Sequence, residues 1–124
     1  MLLIGSGPTG LCLAQLLRNN GGSHVVVASN KGPKMELAKK LGCGDEYVDL
    51  ERENPEPQWA ALKKKYPYGF DVVVEASGAH EVAERAMEHV AKCGKLMYYG
   101  VYKKEALVNV APSKVFSDEI TILG

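Results

Sequence analysis

Gly5-Ser6-Gly7-Pro8-Thr9-Gly10 is the stretch of this sequence whose residue types and spacing carry the most chemistry. Its glycines follow the pattern G-x-G-x-x-G, between an apolar run, Leu2–Ile4, and a helix-like stretch that begins near Leu11. In a strand–turn–helix setting that spacing suits a pyrophosphate. Gly5 turns the chain sharply out of the strand. Gly7 leaves no side chain between phosphate and backbone, and Gly10 lets the helix lie close to the sheet. The helix start adds unpaired N–H groups and a partial positive charge. A glycine-rich turn can also be no more than a tight connection; the second strand that follows, Val25–Ser29, favours dinucleotide binding.

The end of that second strand carries the next chemical choice. Sites selective for NAD end it on Asp or Glu, which accepts from the ribose hydroxyls and repels a 2′-phosphate. Here Val25–Ala28 runs into Ser29-Asn30-Lys31, with Lys34 further on. A serine hydroxyl and an asparagine amide donate to phosphate, and lysines add charge, which makes such bonds roughly twice as strong as neutral ones. This favours NADP(H), with NAD(H) binding more weakly. A competing reading takes Ser29 as a small strand-end residue that admits both cofactors, since no arginine is present to stack on the adenine.

Other chemically capable residues read as ordinary structure. His24, His80 and His89 are scattered, and His24 belongs to a solvated loop. Cys12 and Cys43 read as small packing residues. Asp71 lies at a strand start in solvent, whereas Glu75, toward the ligand end of the same strand, is a candidate for touching a ribose. Lys63-Lys64-Lys65 ends a helix and suits its dipole. Tyr98, Tyr99 and Tyr102 fit sheet packing better than base stacking.

The elements that must position these residues alternate along the chain. A first helix, about Thr9 to Asn20, carries Leu13, Leu16 and Leu17 at the spacing of a buried stripe. Pro33 opens a second helix with Met35, Ala38 and Leu41 inward, closed by Gly42. Tyr47–Leu50 reads as an edge strand, Glu51–Pro57 as a loop, and Gln58–Lys65 as a helix with Trp59 and Leu62 on its apolar side. Phe70–Ala76 is the strongest strand pattern. Val82, Ala86 and Val90 mark a fourth helix, Lys95–Val101 a fifth strand, Pro112–Phe116 a helical turn and Thr121–Leu123 a sixth strand. Right-handed crossovers then give an α/β fold, a doubly wound six-stranded parallel sheet of the Rossmann type ordered 3-2-1-4-5-6, with ligand across the carboxyl ends of strands one and four.

The bulk numbers fit one domain, residues 1–124. Fifteen basic residues balance fifteen acidic ones, and that neutrality argues against a nucleic-acid partner. No apolar run approaches the ~20 residues of a membrane span. The three cysteines form no C-x-x-C pair and no disulfide framework, so a reducing, cytoplasmic setting is the expectation. Because strand-like segments stand at both ends, the expectation is a domain excised from a longer, two-domain protein.

Taken in order, Ile4–Gly10, Lys34–Gly42, Phe70–Gly78, Gly94-Lys95-Leu96 and Ile120–Gly124 resemble the coenzyme domain of the medium-chain, zinc-type alcohol and polyol dehydrogenases, in particular the sorbitol and arabinitol branch. The resemblance covers essentially the whole chain. It implies that Gly5, Gly7, Pro8, Thr9 and Gly10 hold the pyrophosphate, with Thr9 toward the nicotinamide. It implies that Ala76, Ser77 and Gly78 line the cleft, that Tyr99, Gly100 and Val101 flank the nicotinamide ribose, and that Thr121 and Leu123 offer backbone groups to the carboxamide. It further implies hydride transfer between NAD(P) and a small alcohol or polyol, zinc held only by a separate catalytic domain, and a homodimer or higher assembly joined edge to edge at the last strand. Cys93, where such domains often carry glycine, reads as a surface variant. No cysteine and histidine here have ligand spacing, so the chain is expected to bind cofactor without turning over substrate.

Two other classes remain open on the sequence. An S-adenosylmethionine methyltransferase shares a glycine-rich first turn, but calls for an acid after the second strand and an antiparallel final hairpin. A non-catalytic nucleotide-sensing module would need only the cleft.

Overall fold

The computed structural model describes all 124 residues. Six strands, β1 (Leu2–Ile4), β2 (Val26–Asn30), β3 (Glu46–Leu50), β4 (Phe70–Glu75), β5 (Val90–Tyr98) and β6 (Thr121–Leu123), form one sheet in the order β3-β2-β1-β4-β5-β6. Every neighbouring pair is parallel. This is the expected doubly wound order, and β6 forms no antiparallel hairpin. Between the strands lie α1 (Pro8–Asn19), α2 (Pro33–Leu41), α3 (Glu56–Lys65), α4 (His80–Glu88) and α5 (Pro112–Ser117).

Alternation along the inner strands divides the core in two, because successive side chains point to opposite faces. Leu3, Val27 and Val74 pack with Leu11, Ala14, Met35 and Ala38 of α1 and α2. Leu2, Ile4, Val26 and Val73 pack with Trp59, Leu62, Ala86 and Met87 of α3 and α4. Helices thus change face where β1 adjoins β4, which opens a crevice at the carboxyl ends of those strands.

The structure moves several expected core positions. Leu16 and Leu41 are 58% and 53% exposed. The buried face of α1 is Gly10, Leu11 and Ala14, with Leu13 and Leu17 partly covered; small residues bring this helix down onto the sheet, so its large apolar ones fall at the rim. Val90 belongs to β5, because α4 ends at Glu88 and Phe70 N–H donates to His89 O at 2.8 Å, starting the β4–β5 pairing there. Val90 still enters the same core as Ala86, which is why its spacing imitates a helix. Cys12 is exposed, not packed, whereas Cys43 is buried, which pushes its thiol pKa up. Cys93 is exposed in the left-handed region, φ +58°, a conformation that glycine adopts with less strain.

Candidate cofactor-binding site

The glycine turn is built by close approach. Gly5 has φ +110°, and a Cβ there would stand 2.9 Å from Ala76 C and Ser77 N, so β1 and β4 converge tightly above their pairing. A Cβ on Gly10 would stand 2.1 Å from Gly5 O. Gly7 differs: it caps α1, and a Cβ would meet nothing within 4 Å. Because Pro8 lacks an N–H, the free donors of the first turn are those of Thr9 and Gly10.

A cleft of about 360 Å³ opens here, lined by Gly5, Ser6, Gly7, Ser29, Asn30, Lys31, Gly32, Pro33, Lys34, Arg52, Ala76 and Ser77. Eight of the residues singled out in the sequence therefore meet in one place: Gly5, Gly7, Ser29, Asn30, Lys31, Lys34, Ala76 and Ser77. Three cations line the cleft and no carboxylate does. Lys31 approaches Glu51 at 3.8 Å, while Lys34 and Arg52 have no carboxylate within 4.0 Å. Such a cavity suits a polyanion.

Arg52 corrects the sequence reading, in which no arginine was available. It follows β3, 22 residues past Asn30 in the chain, and reaches the cleft because β2 and β3 are paired through Asn30 and Leu50. A basic residue just beyond the third strand was its only sequence signal. Ser29 is also placed differently from a free phosphate donor. Its Oγ accepts from Ser6 N at 3.3 Å and lies 2.8 Å from Ser6 Oγ. With Ser6 donating that second bond, the Ser29 proton is left for a ligand.

Glu75, the candidate for touching a ribose, offers no open surface to a ligand. It is fully buried, and its carboxylate accepts from Ser77 N at 2.7 Å, from Gly78 N at 3.3 Å, and from the hydroxyls of Ser77 and Tyr102. Burial, and then that bond to Glu75, push the Tyr102 phenol pKa up. Tyr98 packs on the core and Tyr99 is half exposed.

The remaining expected residues lie along the sheet's carboxyl edge or outside the cleft. Pro8 and Thr9 form the exposed first turn of α1, and Gly10 is buried beneath it. Gly78 touches the segment after β5: a Cβ on it would stand 2.6 Å from Val101 O, and one on Gly100 would stand 2.5 Å from Gly78 N. Leu123 pairs with Met97, one residue before the level of Glu75 and Tyr98. Thr121 pairs with Lys95, level with Val72, so the register sets it three residues, ~10 Å, below that edge. The structure does not bring Thr121 to the carboxyl end.

No group of three His, Cys, Asp or Glu side chains could hold a metal ion, so the residues of this chain do not fit a zinc. His89, the one buried histidine, has neither ring nitrogen hydrogen-bonded and stacks 5.2 Å from Trp59. No helix is long and apolar enough to cross a membrane.

Residues 8–124 match the zinc-binding dehydrogenase family. The chain belongs to it. D-arabinitol dehydrogenase 1 of Uromyces fabae is 52% identical over 99% of this chain and 35% of its own length. Sorbitol dehydrogenase of Halalkalibacterium halodurans is 27% identical over the whole chain, again 35% of its own length. Among solved structures, a protein described as a zinc-binding dehydrogenase of Sinorhizobium meliloti 1021, bound to NADP, superposes with TM-score 0.84 at 25% identity, over 99% of this chain and 36% of that one. The chain spans about a third of the length of these family members.

Proposed function

We propose that this chain is the NADP(H)-binding part of a zinc-dependent alcohol or polyol dehydrogenase, and that its own residues do the binding and orienting. The observation that carries the reading is the cleft beside Gly5–Gly10, with three cations and no acid. In this reading the Thr9 and Gly10 N–H groups and the open face of Gly7 take the pyrophosphate, while Ser29, Asn30, Lys31, Lys34 and Arg52 take the phosphorylated adenosine ribose. Ala76, Ser77 and Gly78, with Tyr99–Val101, form the wall on the nicotinamide side, and Leu123 stands at its edge. The bound nicotinamide supplies the hydride. The group that polarises the substrate carbonyl comes from outside these residues, as the lack of a metal-ligand cluster supports. The 52% identity with D-arabinitol dehydrogenase 1 supports a polyol as substrate.

Paired dissociation constants for NADPH and NADH, at low and high salt, test this reading. NADPH should bind the tighter, with the difference shrinking in salt. Tighter NADH binding would overturn the cofactor choice. Zinc-stimulated alcohol oxidation by the 124-residue chain would overturn the division of labour.

The reading extends to a homodimer joined through β6 and to a reducing, cytoplasmic setting, the latter supported by three free cysteines. β6 is the sheet's outer strand, and its Ile122 and Leu123 are 39% and 45% exposed. Such an edge, without proline or bulge, is open to pairing. A sedimentation profile that stays monomeric at high concentration, unchanged by Ile122→Pro, would count against the dimer.

A further inference from the structure

The segment from Tyr99 to Ala111 has neither helix nor strand until α5 begins, yet its first residues lie against Gly78. Its anchors are few and specific. Glu75 O accepts from Tyr99 N at 2.8 Å and Gly100 N at 2.9 Å. Near the far end, Glu84 Oε1 accepts from Asn109 N at 3.0 Å and Asn109 Nδ2 at 2.7 Å. Between these ends, one side-chain bond ties the segment to the sheet: the Tyr102 hydroxyl donates to Glu75 Oε2.

That bond has unusual leverage. Glu75 is fully buried with no cation within 4.0 Å, and its partners are neutral N–H and O–H donors. A buried carboxylate held only by neutral donors relies on each of them, because leaving one of its oxygens short costs the full desolvation of that site. The same carboxylate also shapes the turn at Ser77 and Gly78. Glu75 thereby joins the two segments that face each other at Gly78 and Gly100, and Tyr102 is its only side-chain hydrogen-bond partner on the β5 side.

We propose that Tyr102 is a positioning residue for the nicotinamide half of the cofactor: its hydroxyl, bound to Glu75, seats Tyr99–Val101 against Gly78 and so sets that wall of the cleft. This rests on the cofactor reading above. It assigns Tyr102 no contact with the reacting atoms. The adenosine half, gripped by Ser29, Lys34 and Arg52 on the other side of β1, does not depend on it.

Tyr102→Phe tests this, since it keeps the ring that meets Tyr98 edge-on at 6.3 Å and removes only the hydroxyl. Binding of NADPH and of adenosine 2′,5′-bisphosphate is measured by calorimetry, and amide exchange is followed by residue. NADPH binding should weaken about tenfold, with adenosine 2′,5′-bisphosphate unchanged. Exchange at Tyr99 and Gly100 should speed up about tenfold, with β1 and β2 unaffected. Unchanged NADPH affinity, equal weakening of both ligands, or unchanged exchange at Tyr99 and Gly100 would overturn the proposal. Unmodified chain that binds neither ligand would instead overturn the cofactor reading, and the proposal with it, a result distinct from the other three.

Discussion

Gly7 and Gly10 belong to one motif, but the structure gives them separable roles, and paired alanine substitutions expose the difference. At Gly10 a Cβ would sit 2.1 Å from Gly5 O, against 3.4 Å for the start of ordinary contact. Both partners are backbone, one in α1 and one just after β1, so the helix must lift off the sheet by more than an ångström. Overpacking of this kind costs about 3 kcal/mol, offset by at most ~1 kcal/mol of improved helix propensity. The net loss of about 2 kcal/mol lowers Tm by roughly 8 °C in a domain of this size. At Gly7 a Cβ meets nothing within 4 Å, and φ −67°, ψ 173° is ordinary for any residue. Gly7→Ala should therefore cost under about 1 kcal/mol as a weaker N-cap. Its methyl group enters the cleft that Gly7 lines, and losing even one charge-assisted bond to phosphate weakens NADPH at least about tenfold. Thermal unfolding and NADPH calorimetry on both variants give the answer. Equal losses of Tm, or full NADPH affinity in Gly7→Ala, would refute the reasoning.

Three further outcomes are expected. Ser29→Asp puts a carboxylate among Lys31, Lys34 and Arg52, and should weaken NADPH about a hundredfold while NADH holds or tightens, read from paired dissociation constants. Arg52→Ala should weaken NADPH about tenfold more than NADH with Tm unchanged, because its side chain is exposed and in no ion pair; a Tm loss of several degrees would show a structural role instead. Burial, with Lys63 and Arg85 adding to it and Glu88 opposing, lowers the His89 pKa from 6.5 to about 4. The unfolded chain then binds one more proton than the folded chain between those values, so stability should fall by about 3 kcal/mol as pH drops from 6.5 to 4 and level off below. His89→Phe, stacked on Trp59, should remove that part of the slope in denaturant titrations across pH.

The fold class was legible in the residues because it rests on local signals, and the strand order followed from the strand–helix alternation through the right-handed crossover rule. Val25–Ala28 and Val72–Val74 are apolar on both faces, as inner parallel strands must be, and Pro33 and Gly42 mark the ends of α2. The tight glycine turn was legible for the same reason: Gly5, Gly7 and Gly10 lie within one strand–turn–helix unit, where Gly5 and Gly10 make close backbone approaches and Gly7 caps the helix. Tertiary contact decided the rest. Arg52 enters the cleft only because β3 pairs with β2, and Thr121 falls below the carboxyl edge only because β6 pairs with β5 at Lys95. Leu16 lies outside because Gly10 and Ala14 dock α1, and apolar spacing does not record how close a helix approaches a sheet. Glu75 looked like a ribose ligand from its place near the strand's end, but its partner Tyr102 lies 27 residues away. Spacing along the chain specifies hydrogen bonds within an element; which donor finds a buried carboxylate across the sheet is set by register and crossover, and those exist only once the strands have paired.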